Sequence, residues 1–279
     1  MYEIREKYKH LIPKPKKGLG QHFLKDHSVS RRIADYVWKD GPDYILEIGP
    51  GAGDLTFALL EKGPVVAVEI DNRLKPFWET VIKDVPHLTI IWADFLKLRE
   101  DDIPTGTYNT TGNLPYMIGT TIITHLVKYF PSWKLGAFML QKEVTRRIKA
   151  QKGKEKSSLS IWMQTYTEIV SSFLVKPGAF SPPPKVMSEV IFLKRRETPL
   201  CNIDYDKWEE FLKGVFRQKR KTLANNLRNM GYSKQCIEHI LNVVGLKPTI
   251  RGEEVSVETL CHVYTLLSTE NICKNQYHT

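Results

Sequence analysis

The 279-residue chain has no apolar run approaching the ~20 residues that a bilayer-spanning helix needs. Its first residues, MYEIREKYKH, are charged and lack the apolar core of a secretory signal, so a cytoplasmic protein is expected. Cysteine is scarce: Cys201, Cys236, Cys261 and Cys273 lie far apart, with no CxxC or Cys/His pairing to hold zinc. They read as ordinary reduced thiols, and no metal is expected. Internal repeats and low-complexity tracts are absent. Acidic residues are outnumbered, since lysine and arginine exceed aspartate and glutamate by ten and the pI is near 9.3. Long-range attraction to a polyanion follows, although a solvated basic surface would give the same balance.

A basic, proline-bearing arm, PKPKKGLGQHFLKD, precedes SVSRRIADYVWKD, whose Val29, Ile33, Ala34 and Val37 repeat at helical spacing. YILEIG, a glycine turn, DLTFALLEKG and VVAVEI then form a strand–helix–strand unit, which implies a parallel sheet. The alternation continues through HLTIIWADF, a weak strand TYNTTG, the helix TIITHLVKYF and the strand KLGAFMLQ. It ends in the mixed segment SLSIWMQTYTEIVSSFLV and a last strand, MSEVIFLKRR. This pattern predicts an α/β, doubly wound, Rossmann-like sheet closed by an antiparallel edge. ETPLCNIDYD reads as a linker, and the chain beyond it as helices. The expected domains are 1–197 and a smaller helical domain, 198–279.

The chain lacks the last glycine of a dinucleotide fingerprint: EIGPGAG is followed by aspartate at position 54, which counts against NAD. Gly49 and Gly51 still allow a tight turn and close approach to a ligand. About twenty residues on, Glu69 ends the second strand, where a carboxylate accepts both hydroxyls of a ribose. Asp94 ends the third strand and suits an adenine amine. TGNLPY ends the next strand: its proline lacks an N–H and stops pairing, which places Asn113, Leu114, Pro115 and Tyr116 in a strand-to-helix turn. Each acid alone could be a solvent-facing strand end. Together they fit an adenosine-bearing ligand without a pyrophosphate, S-adenosylmethionine.

KKGLGQHFL, EIGPGAG, VEID, ADFL, GNLPY and FSPPPKVMSEV together resemble the ribosomal RNA adenine N6,N6-dimethyltransferases. The resemblance runs from about Lys16 into the C-terminal FRQKRKTLANNL. It implies that S-adenosyl-L-methionine meets His22, Leu24, Gly49, Gly51, Glu69, Asp94 and Asn113. Adenine N6 is a poor nucleophile because its lone pair is delocalised into the ring. If the Asn113 oxygen and the carbonyl of Leu114 or Pro115 accept its two N–H bonds, the lone pair turns toward the methyl. Tyr116 would stack on the extruded base. Phe180 reads by itself as packing under the Ser181–Pro184 run, and the resemblance makes it the second stacking face.

Leucine in NLPY is associated in the family with ribosomal RNA, and a proline there with DNA. The arm and Arg146, Arg147, Lys149, Lys152, Lys154 and Lys156 offer, as a group, either a phosphate-contacting surface or solvated faces. The C-terminal stretch resembles the housekeeping branch, and the motif starts too near Met1 for a mitochondrial presequence. The expectation is a bacterial-type enzyme that dimethylates two adjacent adenosines near the 3′ end of small-subunit (16S) ribosomal RNA. Its expected partner is a pre-30S or 30S particle, bound by a monomer. A single-site large-subunit (23S) enzyme of antibiotic resistance and a non-catalytic RNA-binding assembly factor are the alternatives. Two departures from the family pattern stand out: Met117 where asparagine often follows the tyrosine, and the polarity of TYNTT.

Overall fold

The computed structural model of the protein describes residues 1–15 and 21–269, so residues 16–20 of KKGLGQHFL and Cys273 lie outside it. In chain order its elements are α1 (Tyr2–Tyr8), β1 (Phe23–Leu24), α2 (His27–Val37), β2 (Tyr44–Ile48), α3 (Asp54–Leu60), β3 (Val65–Glu69), α4 (Lys75–Asp84), β4 (Leu88–Trp92), β5 (Tyr108–Asn113) and α5 (Gly119–Tyr129). There follow β6 (Leu135–Gln141), α6 (Lys142–Lys149), α7 (Ser158–Tyr166), β7 (Thr167–Val175), β8 (Phe180–Ser181), β9 (Ser188–Arg195), α8 (Tyr205–Val215), α9 (Leu223–Asn229), α10 (Lys234–Val243) and α11 (Val257–Thr269).

The main sheet has the order β4-β3-β2-β5-β6-β9-β7, and β1 pairs with β8 in a separate ladder. β2, β3, β4, β5 and β6 run parallel, with Glu47 opposite both Ala67 and Thr111. β9 is antiparallel to β6 but stands one place inside the edge, which β7 occupies. Alternate residues of a strand point to opposite faces. Ile45, Val65, Ala67, Ala137 and Met139 join one core with α2 and α3, while the intervening Leu46, Val66, Val68, Phe138 and Leu140 are buried too. Burial on both faces is why these strands read as continuous apolar runs.

β5 is the exception in sequence but not in place, because it lies between β2 and β6. Its polar side chains take backbone partners, which offsets the cost of burying them. Asn109 donates to the carbonyls of Val37 (2.7 Å) and Lys39 (3.1 Å) and accepts from the Leu135 N–H (2.8 Å). Thr111 donates to the Ala137 carbonyl at 2.6 Å.

The chain forms two compact units, Met1–Thr145 with Glu168–Arg195, and Arg146–Thr167 with Arg196–Thr279. The second unit therefore begins fifty residues earlier than a cut at 197 implies, then resumes beside it. Its reason is α7, which is buried on nearly every side and packs against α8. There the Trp208 indole N–H donates to Thr165 Oγ1 at 3.1 Å, and the Arg196 N–H to the Tyr166 carbonyl at 3.0 Å.

Two further expectations are corrected within this unit. Cys201 and Cys261 form a disulfide, with Cα atoms 5.7 Å apart, and Cys236 is disulfide-bonded as well. Distance along the chain concealed a proximity that helix packing creates. Lys156 is not a phosphate-facing lysine: it is 3% exposed, and its Nζ donates to the Val255 carbonyl at 2.6 Å. Arg146 is paired with Glu155 at 2.6 Å. No described helix is long and apolar enough to cross a membrane.

Candidate active site

Because β2 through β6 are parallel, Ile48, Glu69, Trp92 and Asn113 end on one edge of the sheet. The chain winds outward from β2 to β4 and then returns to place β5 on the other side of β2. That reversal opens the crevice in which such folds bind ligands. A cavity of about 250 Å³ lies there, lined by His22, Leu24, Gly49, Gly51, Glu69, Asp94 and Asn113–Tyr116, all residues expected from the sequence.

Gly49 has φ +73°, in the left-handed region, and a Cβ built on it would meet nothing within 4 Å. The turn thus leaves open space above its backbone. The Glu69 carboxylate, 4% exposed, accepts from the Gly51 N–H (3.0 Å) through one oxygen and the Asp71 N–H (2.7 Å) through the other. Burial raises its pKa, and these backbone bonds oppose the rise. Each carboxylate oxygen has a second lone-pair direction, so capacity remains for two ligand hydroxyls. Asp94 Oδ1 accepts from the Leu96 N–H at 3.0 Å, leaving Oδ2 for a donor.

Sequence reasoning missed the network behind these groups. Gln21 donates to Asp71 at 2.9 Å, and Arg73 clamps the same carboxylate at 2.6 and 2.9 Å. The Arg73 guanidinium beside Asp71 holds that carboxyl below its ordinary range. The arm is thereby tied to the end of β3, and only the juxtaposition of GQHFL with VEID hinted at it. Glu47 and Asp54 were also missed. Burial pushes the Glu47 carboxyl up to about 8 and Asp54 up to about 6, the latter against the opposing charge of Arg5.

In TGNLPY the Asn113 Nδ2 donates to the His22 carbonyl at 2.9 Å. A carbonyl only accepts, so the amide is turned with Oδ1 as its unused acceptor. The Pro115 carbonyl accepts from the N–H groups of Ile118 (3.2 Å) and Gly119 (2.8 Å), at the start of α5. Both its lone pairs are engaged, whereas the Leu114 carbonyl has no partner among the described residues. The Tyr116 hydroxyl meets Ser188 Oγ at 2.6 Å, and its ring stacks on His22 with centroids 5.4 Å apart. The His22 Nδ1–H donates to the Pro182 carbonyl at 2.8 Å.

Phe180 stands elsewhere. It is opposite Leu24 in the β1–β8 ladder, 1% exposed in the apolar core, and it does not line the cavity. Its role as a second stacking face is corrected to packing beneath the proline run.

The family model "Ribosomal RNA adenine dimethylase" matches residues 12–268. A Chlamydia caviae protein named ribosomal RNA small subunit methyltransferase A is 37% identical, with 91% of this chain and 92% of that protein aligned. A Lactococcus lactis protein of the same name is 38% identical over 87% and 86%. Among solved structures, the 23S rRNA methyltransferase ErmE is 25% identical, with a TM-score of 0.68 over 88% of this chain and 99% of its own. A Plasmodium falciparum dimethyladenosine transferase, 23% identical with a TM-score of 0.75 over 88% and 97%, shares the fold. With the family match spanning nearly the full length and the motif residues gathered at one sheet edge, this chain belongs to the ribosomal RNA adenine dimethylase family.

Proposed function

We propose that this enzyme dimethylates the N6 amines of two adjacent adenosines near the 3′ end of small-subunit ribosomal RNA. It acts as a monomer on a pre-30S or 30S particle in the cytoplasm. The residues fit S-adenosylmethionine: open space over Gly49, ribose-accepting capacity on Glu69 and a spare Asp94 oxygen. Bound there, the cofactor supplies a methyl group on a positively charged sulfur.

The observation that carries the reading is the commitment of hydrogen bonds around TGNLPY. Asn113 Oδ1 and the Leu114 carbonyl are the two acceptors left over, one for each N–H of an amine. Accepting both aligns the nitrogen lone pair and stabilises the positive charge that builds on N6 as the new bond forms. Pro115, through its carbonyl, secures the first turn of α5 and keeps the acceptors in place. Tyr116, held by Ser188, supplies an aromatic face for the extruded base.

The small-subunit target rests on the names of the relatives reported above. The experiment is incorporation of labelled methyl groups into undermethylated small subunits and, in parallel, into large-subunit RNA. Labelling confined to small subunits is expected; labelling confined to large-subunit RNA contradicts the reading. An assembly factor without activity would label neither.

A further inference from the structure

A second cavity, of about 910 Å³, lies in the same compact unit and is lined by Lys25, Asp26, His27, Arg32, Phe173 and Lys176, among others. It adjoins the first along the β1–β8 ladder. That ladder pairs Phe23 with Ser181 and Leu24 with Phe180, and it is extended by the Lys25 N–H donating to the Ala179 carbonyl at 2.8 Å. His22, in the first cavity, and Lys25, in the second, are three residues apart on nearly extended backbone, about 10 Å.

The charges of this groove are uncompensated. Lys25, Arg32 and Lys176 are exposed and have no carboxylate partner among the described residues. Asp26, a carboxylate in the lining, is committed to the Ser28 N–H (3.0 Å) and hydroxyl (2.6 Å) at the start of α2. Arg32 lies over the Phe173 ring, 3.9 Å from its centroid. A guanidinium held flat against an aromatic ring presents its other face as a platform on which an unpaired base stacks. Cations alternating with a stacking plane suit a single-stranded polyanion carrying bases.

We propose that this groove holds the single-stranded RNA segment flanking the target adenosine. Lys25 and Lys176 meet its phosphates, and Arg32, backed by Phe173, stacks beneath one of its bases. This surface rests on the RNA-methylating reading above and gives it a path for the strand.

The test measures methylation of undermethylated small subunits by the full chain and by its K25A/K176A, R32A and R32K variants. Affinity for S-adenosylmethionine and melting temperature are followed alongside, and both should stay at wild-type values because the altered side chains are exposed. K25A/K176A should raise KM for the particle about tenfold and reduce the slope of log KM against log salt by about two, one for each lost phosphate contact. R32A should raise KM at least about fivefold, as expected for a lost stacked base. R32K should keep the salt slope yet show most of that KM defect, because an ammonium cannot stack. A wild-type chain that methylates the particle while all three variants match it within twofold overturns the groove alone. Crosslinking from position 32 to a ribosomal protein instead of RNA overturns it too. A wild-type chain that methylates no particle overturns the functional reading and the groove with it.

Discussion

Asn113 does two things at once: its Nδ2 pins the arm through the His22 carbonyl, and its Oδ1 is left for the substrate amine. Asn113→Ala should lower kcat by about 10²–10³-fold, the scale found when one preorganised polar partner of a transition state is removed. Binding of the particle, followed by filter retention, should be unchanged. Unimpaired transfer by the variant would contradict the amine clamp. Asn113, Glu69 and Asp94 were legible in the sequence because polar residues ending apolar strands have few other uses. Which carbonyl joins the clamp was not, since that depends on α5 engaging Pro115 in its first turn. Phe180 misled because an aromatic beside prolines reads alike whether it faces a ligand or a core. Glu47 gives a second test. Its carboxyl ionises at about 8 in the folded chain against 4.5 ordinarily. Between those values the folded state holds a proton that the unfolded state has released, so this group makes stability fall as pH rises, with the full cost reached above about 8. Glu47→Gln removes that cost. Melting curves should nearly coincide at pH 5 and separate in favour of the variant by pH 8; a constant gap would argue against the assignment.

The first helix shows what element-level reading missed. The opening forty residues read as an arm followed by a helix, yet α1 already forms within MYEIREKYKH and docks beside the glycine turn. The Tyr2 hydroxyl donates to the Asp54 carbonyl (3.1 Å), and Arg5 donates to the Ala52 carbonyl (3.0 Å) and pairs with the Asp54 carboxylate (3.0 Å). A seven-residue helix has little stability of its own, and partners some fifty residues away give it no local signature. Arg5→Ala should cost about 2 kcal/mol in urea denaturation at pH 8, because it strands a largely buried carboxylate. The loss should shrink at pH 5, below the Asp54 value of about 6, where that carboxyl is mostly protonated. An equal loss at both pH values would mean that the Ala52 contact, not the ion pair, secures the helix. The main-sheet strands, by contrast, were legible from their apolar runs. β5 was underrated because its polar side chains are satisfied only by chain brought in from α2 and β6.

Across the full chain, order along the sequence and membership of a compact unit diverge. Residues 146–167 belong with the C-terminal helices, and cysteines sixty residues apart are bonded. Neither follows from composition or period, because both are products of tertiary packing. The C201S/C261S variant should lose about 2–4 kcal/mol of stability, chiefly through greater freedom of the unfolded chain. Adding reductant should bring the wild type down to the variant and leave the variant unmoved, and denaturation of both chains with and without reductant checks this. The motifs that name the family needed no such packing to be recognised, since each sits at a strand end whose type the sequence declares. What they do together is measured by mass mapping of modified adenines after undermethylated small subunits are incubated with this protein and S-adenosylmethionine. Two adjacent N6,N6-dimethyladenosines near the 3′ end of the small-subunit RNA are predicted; a single modified adenosine, or modification confined to large-subunit RNA, would contradict the account.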